Sequence, residues 1–265
     1  MNLFMRNYKL TISQGGQVSE IKPELNISFN VQKSVSGGLN QAEITVFNLS
    51  KARRDNLVKT MLDNKKKIAV VLEIGYGDKL ELLFKGSVYT GSTLRDGNNI
   101  ATRLVCYDGG FEAFNSSISG AFDSMGEMAK ASVDSLALDA GEIITDTLSR
   151  PLAVFGNAFS ELAQNKSKDS DVFIDNERLN VIPKSSTIKH ISTLNASTGL
   201  INVERDAEMM IADCKINPSI KIGAAVNLES SLDASMNGLY KVIEANYNGT
   251  FDGGSWDQSI KMIKL

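Results

Sequence analysis

Residues 21–47 read IKPELNISFNVQKSVSGGLNQAEITVF, and the spacing of their apolar side chains decides the fold class. Ile21, Leu25, Ile27, Phe29 and Val31 fall on odd positions, with Asn26, Ser28, Asn30 and Gln32 between them. A period of two turns one face of a strand toward a core and the other toward water. The cluster SVSGGLN at 34–40 interrupts the run as a turn, and Ala42, Ile44 and Val46 resume it.

The pattern extends in both directions from this turn. Ser50 has the chemistry of a helix N-cap, and Ala52, Leu57, Val58 and Met61 follow at helical spacing, ending near Asp63 and Asn64. IAVVLEIGYG, residues 68–77, is apolar on both faces and reads as a central strand. Leu80, Leu82, Phe84 and Val88 make another alternating face. Arg95-Asp96-Gly97-Asn98 is a hairpin turn, and residues 100–107 return from it. Residues 1–112 are thus expected to form a small, strongly twisted antiparallel barrel or sandwich.

Residues 113–199 change character. The segment 121–149 carries Asp123, Glu127, Asp134, Asp139, Glu142 and Asp146 against the single Lys130. A helix is expected over 139–148, stopped by Pro151. Phe155, Phe159, Leu162 and Ala163 define the face of a second helix. VFID and LNVI flank a turn at Asn176-Glu177, so this part reads as a small α+β insert. From 200 to 265 alternation returns: Ala212, Cys214 and Ile216, then GLYKVIEANY and SWDQSIKMI around the turn Asp252-Gly253-Gly254. The expected class is mainly β: two small antiparallel barrels flanking an α+β insert.

The chemistry-bearing residues are sparse. A single histidine, His190, and two cysteines without CxxC spacing, Cys106 and Cys214, supply no zinc set and no disulfide framework. No GxSxG, GxxxxGK[ST] or GxGxxG stretch occurs. No catalytic, cofactor-binding or metal-binding residue is therefore assigned, and no enzyme activity is expected. The opening MNLFMRNYKL lacks the apolar core of a signal peptide. No run reaches the roughly 20 apolar residues of a membrane span, so no membrane insertion is expected. The net charge of −3 gives no global drive to bind phosphate.

One charge anomaly remains. Lys51, Arg53, Arg54, Lys59, Lys65, Lys66 and Lys67 crowd residues 50–67 against only Asp55 and Asp63. Like charges at this density repel, and no aromatic interleaves them as a nucleic-acid site would require. A solvated face is one reading. Contact with an acidic neighbouring subunit is the other, with Lys51, Arg53, Arg54, Lys65, Lys66 and Lys67 as the contacts and the acidic 121–149 segment as one complement.

The sequence also resembles a known family. TGLINVERDAEMMIADCKINPSIKIGAAVNLESS and NGLYKVIEANYNGTFDGGSWDQSIKMI carry an Asn217-Pro218 turn, a Gly238-x-Tyr240-x-Val242 strand and Trp256 after the last turn. Upstream lie AEITVFNLS, the Gly75-Tyr76-Gly77 strand end, FKG at 84–86 and Cys106-Tyr107-Asp108-Gly109. In this order they resemble the baseplate hub proteins of contractile-tailed bacteriophages and related injection machines; Glu204-Arg205 departs from the pattern. The resemblance implies two tube-like barrels per chain and a homotrimeric ring. That ring would join the sixfold tail tube to the threefold central spike and let DNA pass through its lumen without specific binding. It implies a virion location, assembly in the host cytoplasm, and contacts with tail tube, spike and other baseplate proteins. Three other readings stay open: a distal-tail or tube-completion protein, a tail-tip wall hydrolase, and a free binding module.

Overall fold

The structure, a computed structural model, describes residues 5–62, 66–145, 147–231 and 233–265. β1 (Arg6–Gln14) turns through Gly15 and Gly16, both at positive φ, into β2 (Gln17–Ile21). Pro23 and Leu25 lie in the connection, so the expected single run from Ile21 is divided, and β3 (Ile27–Ser34) and β4 (Gln41–Phe47) follow. Next come α1 (Lys51–Leu62), β5 (Ile68–Tyr76), β6 (Lys79–Asp96) and β7 (Asn99–Tyr107). The β6–β7 hairpin turns at Gly97, whose φ of 58° suits a residue without a Cβ. β6 changes partner along its length: Lys79–Ser87 pairs with β5, and Ser87–Asp96 pairs with β7.

The middle of the chain contains α2 (Gly110–Asn115), β8 (Ile118–Ser124), α3 (Met125–Leu136), β9 (Asp139–Ile143), β10 (Thr147–Gly156), α4 (Ala158–Asn165), β11 (Ser170–Ile174) and β12 (Arg178–Pro183). The helix expected over 139–148 is absent, because β9 there pairs in parallel with β12. The helix lies upstream in α3. Ser124 caps it by accepting from the Glu127 amide, and Met125, Met128, Ala129, Ser132 and Leu136 form its buried stripe. Phe155 is no helix residue either: it sits in β10, 87% exposed, and α4 starts after the Asn157 cap. The β11–β12 hairpin is where the sequence placed it.

β13 (Ile188–Asn195), β14 (Leu200–Asp206), β15 (Met209–Lys215), β16 (Ala224–Glu229), β17 (Gly238–Thr250) and β18 (Trp256–Lys264) complete the chain. β13 pairs with β16 in parallel, the exception in an otherwise antiparallel sheet, so sheet membership places it with the C-terminal strands.

The two β-rich parts share one 13-stranded sheet, with the path β14-β15-β18-β17-β3-β4-β7-β6-β5-β1-β2. The seam is β17. Its start pairs with β16, and beyond a bulge at Ile243 its Glu244–Thr250 stretch pairs with β3. Below the seam the apolar faces merge into one core. The Phe29 ring meets Trp256 edge-on at 5.4 Å, and Ile27, Val31, Val242 and Ile260 are fully buried around them. A second core, around Met128, Leu136, Leu162, Val172 and Leu179, belongs to the insert.

Candidate functional site

The face of the seam opposite the core is polar. β17 sets Glu244, Asn246, Asn248 and Thr250 opposite Ser34, Gln32, Asn30 and Ser28 of β3. β4 continues the rows with Gln41, Glu43 and Thr45, and β18 with Lys261, Ser259 and Asp257. Asn30 Nδ2 donates to Asn246 Oδ1 at 2.8 Å and Asn248 Oδ1 at 2.6 Å, while Gln32 Nε2 donates to Asn30 Oδ1 at 3.0 Å. Asparagine is a poor strand former, so this amide ladder sacrifices strand propensity to keep the face polar. The charges are matched: Lys261 binds Glu244 at 2.7 Å and Arg103 of β7 binds Glu43. An open depression of about 470 Å³ lies here, bordered by Gln32, Ser34, Gln41, Glu244 and Lys261. Chemically the surface offers amides and hydroxyls with those two cations neutralised, and exposed Lys215 of β15, opposite Asp257, stands at the end of one row. The sequence marked Ser28, Asn30 and Gln32 as water-facing; their meeting with β17 depends on a register between residues about 216 apart, which local patterning does not encode.

The basic stretch is divided. Lys51, Arg53 and Arg54 lie in the first turn of α1, with Lys51 and Arg53 exposed and Arg54 half-buried. None of the three is within ion-pair distance of a carboxylate among the described residues. Lys66 is exposed, and Lys65 lies outside the described residues. Lys67 instead reaches the insert of its own chain, binding Glu112 at 2.6 Å and Glu177 at 3.0 Å. Lys85 joins it on Glu177 at 2.7 Å. Burial acts to raise the Glu177 carboxyl, but these two ammonium groups hold it below its ordinary value.

Two buried lysines escaped the sequence reading. Lys33 sits on the core-facing parity of β3 and binds Asp175 at 2.6 Å; Lys241 of β17, fully buried, binds Asp171 at 2.8 Å and the carbonyls of Pro183 and Lys184. Asp171 and Asp175 stand on either side of Val172–Ile174 in β11, so each β-rich part grips one end of the same insert strand. Asp108, at the end of β7, accepts the amides of Asn176 and Glu177. Burial, with the Asp175 charge second, pushes its carboxyl up to about 7. The apolar parity of position 33 was the legible signal for this clasp.

The remaining reactive residues are structural. Cys106 and Cys214 are buried thiols, the latter pushed by burial up to about 12. His190, half-buried in β13, donates from Nε2 to the Ser219 carbonyl at 2.6 Å. Among the described residues, no group of three or more His, Cys, Asp or Glu is placed to hold a metal, and no helix is long and apolar enough to cross a membrane.

Comparison with known proteins gives a consistent result. The family model described as baseplate hub gp41 matches residues 8–251. No curated protein matches the sequence. Among solved structures, the chain is similar to the 43 kDa tail protein of prophage MuSo2 from Shewanella oneidensis, with a TM-score of 0.66 and 11% identity over 97% of this chain and 96% of that one. A tail protein from Neisseria meningitidis MC58 gives 0.64 and 8% identity over 97% and 96%. The E. coli c3393 protein, described as a type VI secretion component similar in structure to the T4 tail proteins gp27 and gp5, gives 0.66 and 7% over 96% and 76%. These likenesses establish the fold. The family match spans nearly the whole chain, and the protein is a member of the baseplate hub gp41 family.

Proposed function

We propose that the chain is the subunit of a homotrimeric ring that joins the sixfold tail tube to the threefold central spike, and that its polar seam lines the passage for DNA. The observation that carries this reading is the amide ladder running across both β-rich parts, with Arg103 and Lys261 each held by a carboxylate. Free lysines or arginines on such a wall would neutralise phosphates, release counterions and hold the DNA. Neutral amides keep the wall wet without gripping a polyanion. The partners are the tail tube protein, the spike and other baseplate proteins, the place of action is the virion, and the role is mechanical rather than catalytic.

The test is to put cations on the wall. Asn30→Lys, Gln32→Lys and Asn246→Lys, combined in assembled particles, should leave the particle count unchanged and slow DNA release. Unaltered release kinetics in intact particles would remove the lumen assignment. Peptidoglycan clearing by the purified chain would instead support a wall hydrolase.

A further inference from the structure

The N-terminal turn of α1 lies over the outer end of the β6–β7 hairpin and leaves an open cleft of about 720 Å³ between them. Lys51, Arg54 and Arg95 line it, with Asp55 the one carboxylate among the lining residues and Leu94 and Ile100 the apolar ones. Lys51 and Arg54 have no carboxylate partner among the described residues, and Arg95 donates only to the Gly97 carbonyl at 3.2 Å. On the sheet faces Lys9, Arg103 and Lys261 are each paired, while exposed Lys215 of β15 has no ion pair among the described residues. The hairpin is also unfinished: beyond Ser87, β6 pairs with β7 alone, and Leu94 stands 48% exposed. A cleft that gathers cations beside an apolar side chain and an open strand edge is a surface awaiting an acidic partner.

The same chain carries the complement elsewhere. Asp123, Glu127, Asp134 and Asp139 are exposed along α3 and its two ends, with Lys130 the only cation among them. Glu127 and Asp134 are two helical turns apart and share a face with Lys130 between them, leaving it net acidic, while Met125, Met128, Ala129 and Leu136 occupy the buried one. None of the four carboxylates has an ion-pair partner among the described residues. Two basic clefts facing each other would repel, as would two acidic helices. A basic cleft against an acidic helix attracts, and because the patches differ the contact is head-to-tail, the kind that closes into rings.

We infer that the α1–hairpin cleft docks the acidic α3 face of a second copy of this chain, with Arg54 and Arg95 meeting Glu127 and Asp134. Nucleic acid is the lesser fit, because no aromatic ring lines the cleft for base stacking and Asp55 stands inside it. The contact deepens the ring proposed above and rests on that reading for its closure into three.

The experiment is a charge swap on the full chain, read by sedimentation at low salt, where exposed charges are least screened. Arg54→Glu with Arg95→Glu, and separately Glu127→Lys with Asp134→Lys, should each weaken self-association by about tenfold or more, since two attractive pairs become repulsive. The fourfold variant carrying both reversals should recover most of the wild-type association, and unchanged melting temperatures exclude unfolding as the cause. Either reversal assembling like the wild type overturns the contact, as does a fourfold variant no better than its parents or a wild type that never self-associates. A single-stranded DNA oligonucleotide bound by the wild type and lost on Arg54→Glu with Arg95→Glu overturns it in favour of a nucleic-acid site. A trimer indifferent to the reversals keeps the ring and removes this contact. Charge-dependent association into open chains keeps the contact and removes the ring.

Discussion

The buried lysines carry the highest stakes of any residues in the chain. Removing one partner of a buried pair strands the other charge, which costs about 3–5 kcal/mol. Asp171→Ala, which strands the fully buried Lys241 ammonium, should therefore destabilise the fold by that order in urea melts, and Lys241→Met with Asp171→Leu should recover much of the loss. Lys67→Glu would bring a third carboxylate against Glu112 and Glu177, so it should weaken insert docking, whereas Lys66→Glu should leave stability unchanged. Asp108 gives a pH signature. Its folded carboxyl titrates near 7, above the ordinary 3.8, so the native state binds more protons than the unfolded chain between those values. Stability contributed by this group should rise as pH falls from about 7 toward 4, and Asp108→Asn should flatten that slope in melts at pH 5 and pH 8. Lys33 carries a signal that the sequence reading passed over, a core-parity position after Ile27, Phe29 and Val31; Lys241 carries none, because the bulge at Ile243 resets the parity of β17.

At the scale of elements, strands with clean alternation were legible and those set by remote pairing were not. β3, β4 and the β6–β7 turn follow from their residues, and β1 carries the same signal in Tyr8, Leu10 and Ile12 ahead of the first strand expected from the sequence. β9 was misread as helix because DAGEI has no period of its own and becomes a strand by pairing with β12. α3 carries a weak signal because its buried stripe is mostly Met, Ala and Ser, with Leu136 its single branched aliphatic. The seam itself is the least local feature of all. Gly249 of β17 lies so close to the Phe29 ring that a methyl group there would overlap it. Gly249→Ala should cost about 1–3 kcal/mol through overpacking, with amide exchange speeding first in β3 and β17. Unchanged protection in those strands would mean that the two β-rich parts hold together without this close approach.

For the whole molecule, the shared sheet and the insert clasp together fix the two β-rich parts in one orientation. In the proposed ring, three such chains would present six β-rich parts as three covalent pairs, and a threefold object could so meet a sixfold tube. There the polar seam would serve as an inner wall suited to DNA in transit, and the α1 cleft would hold a neighbour. From the sequence alone the basic stretch left a solvated face and a subunit contact both open, and that Lys67 is taken up within its own chain is visible only in the structure. The most direct test of the account is a cryo-electron reconstruction of the tail carrying this chain, calculated without imposed symmetry. Three copies are expected at the junction of tube and spike, with Asn30, Asn246 and Asn248 facing the lumen. Six copies, or a seam turned toward the outside of the particle, would contradict it.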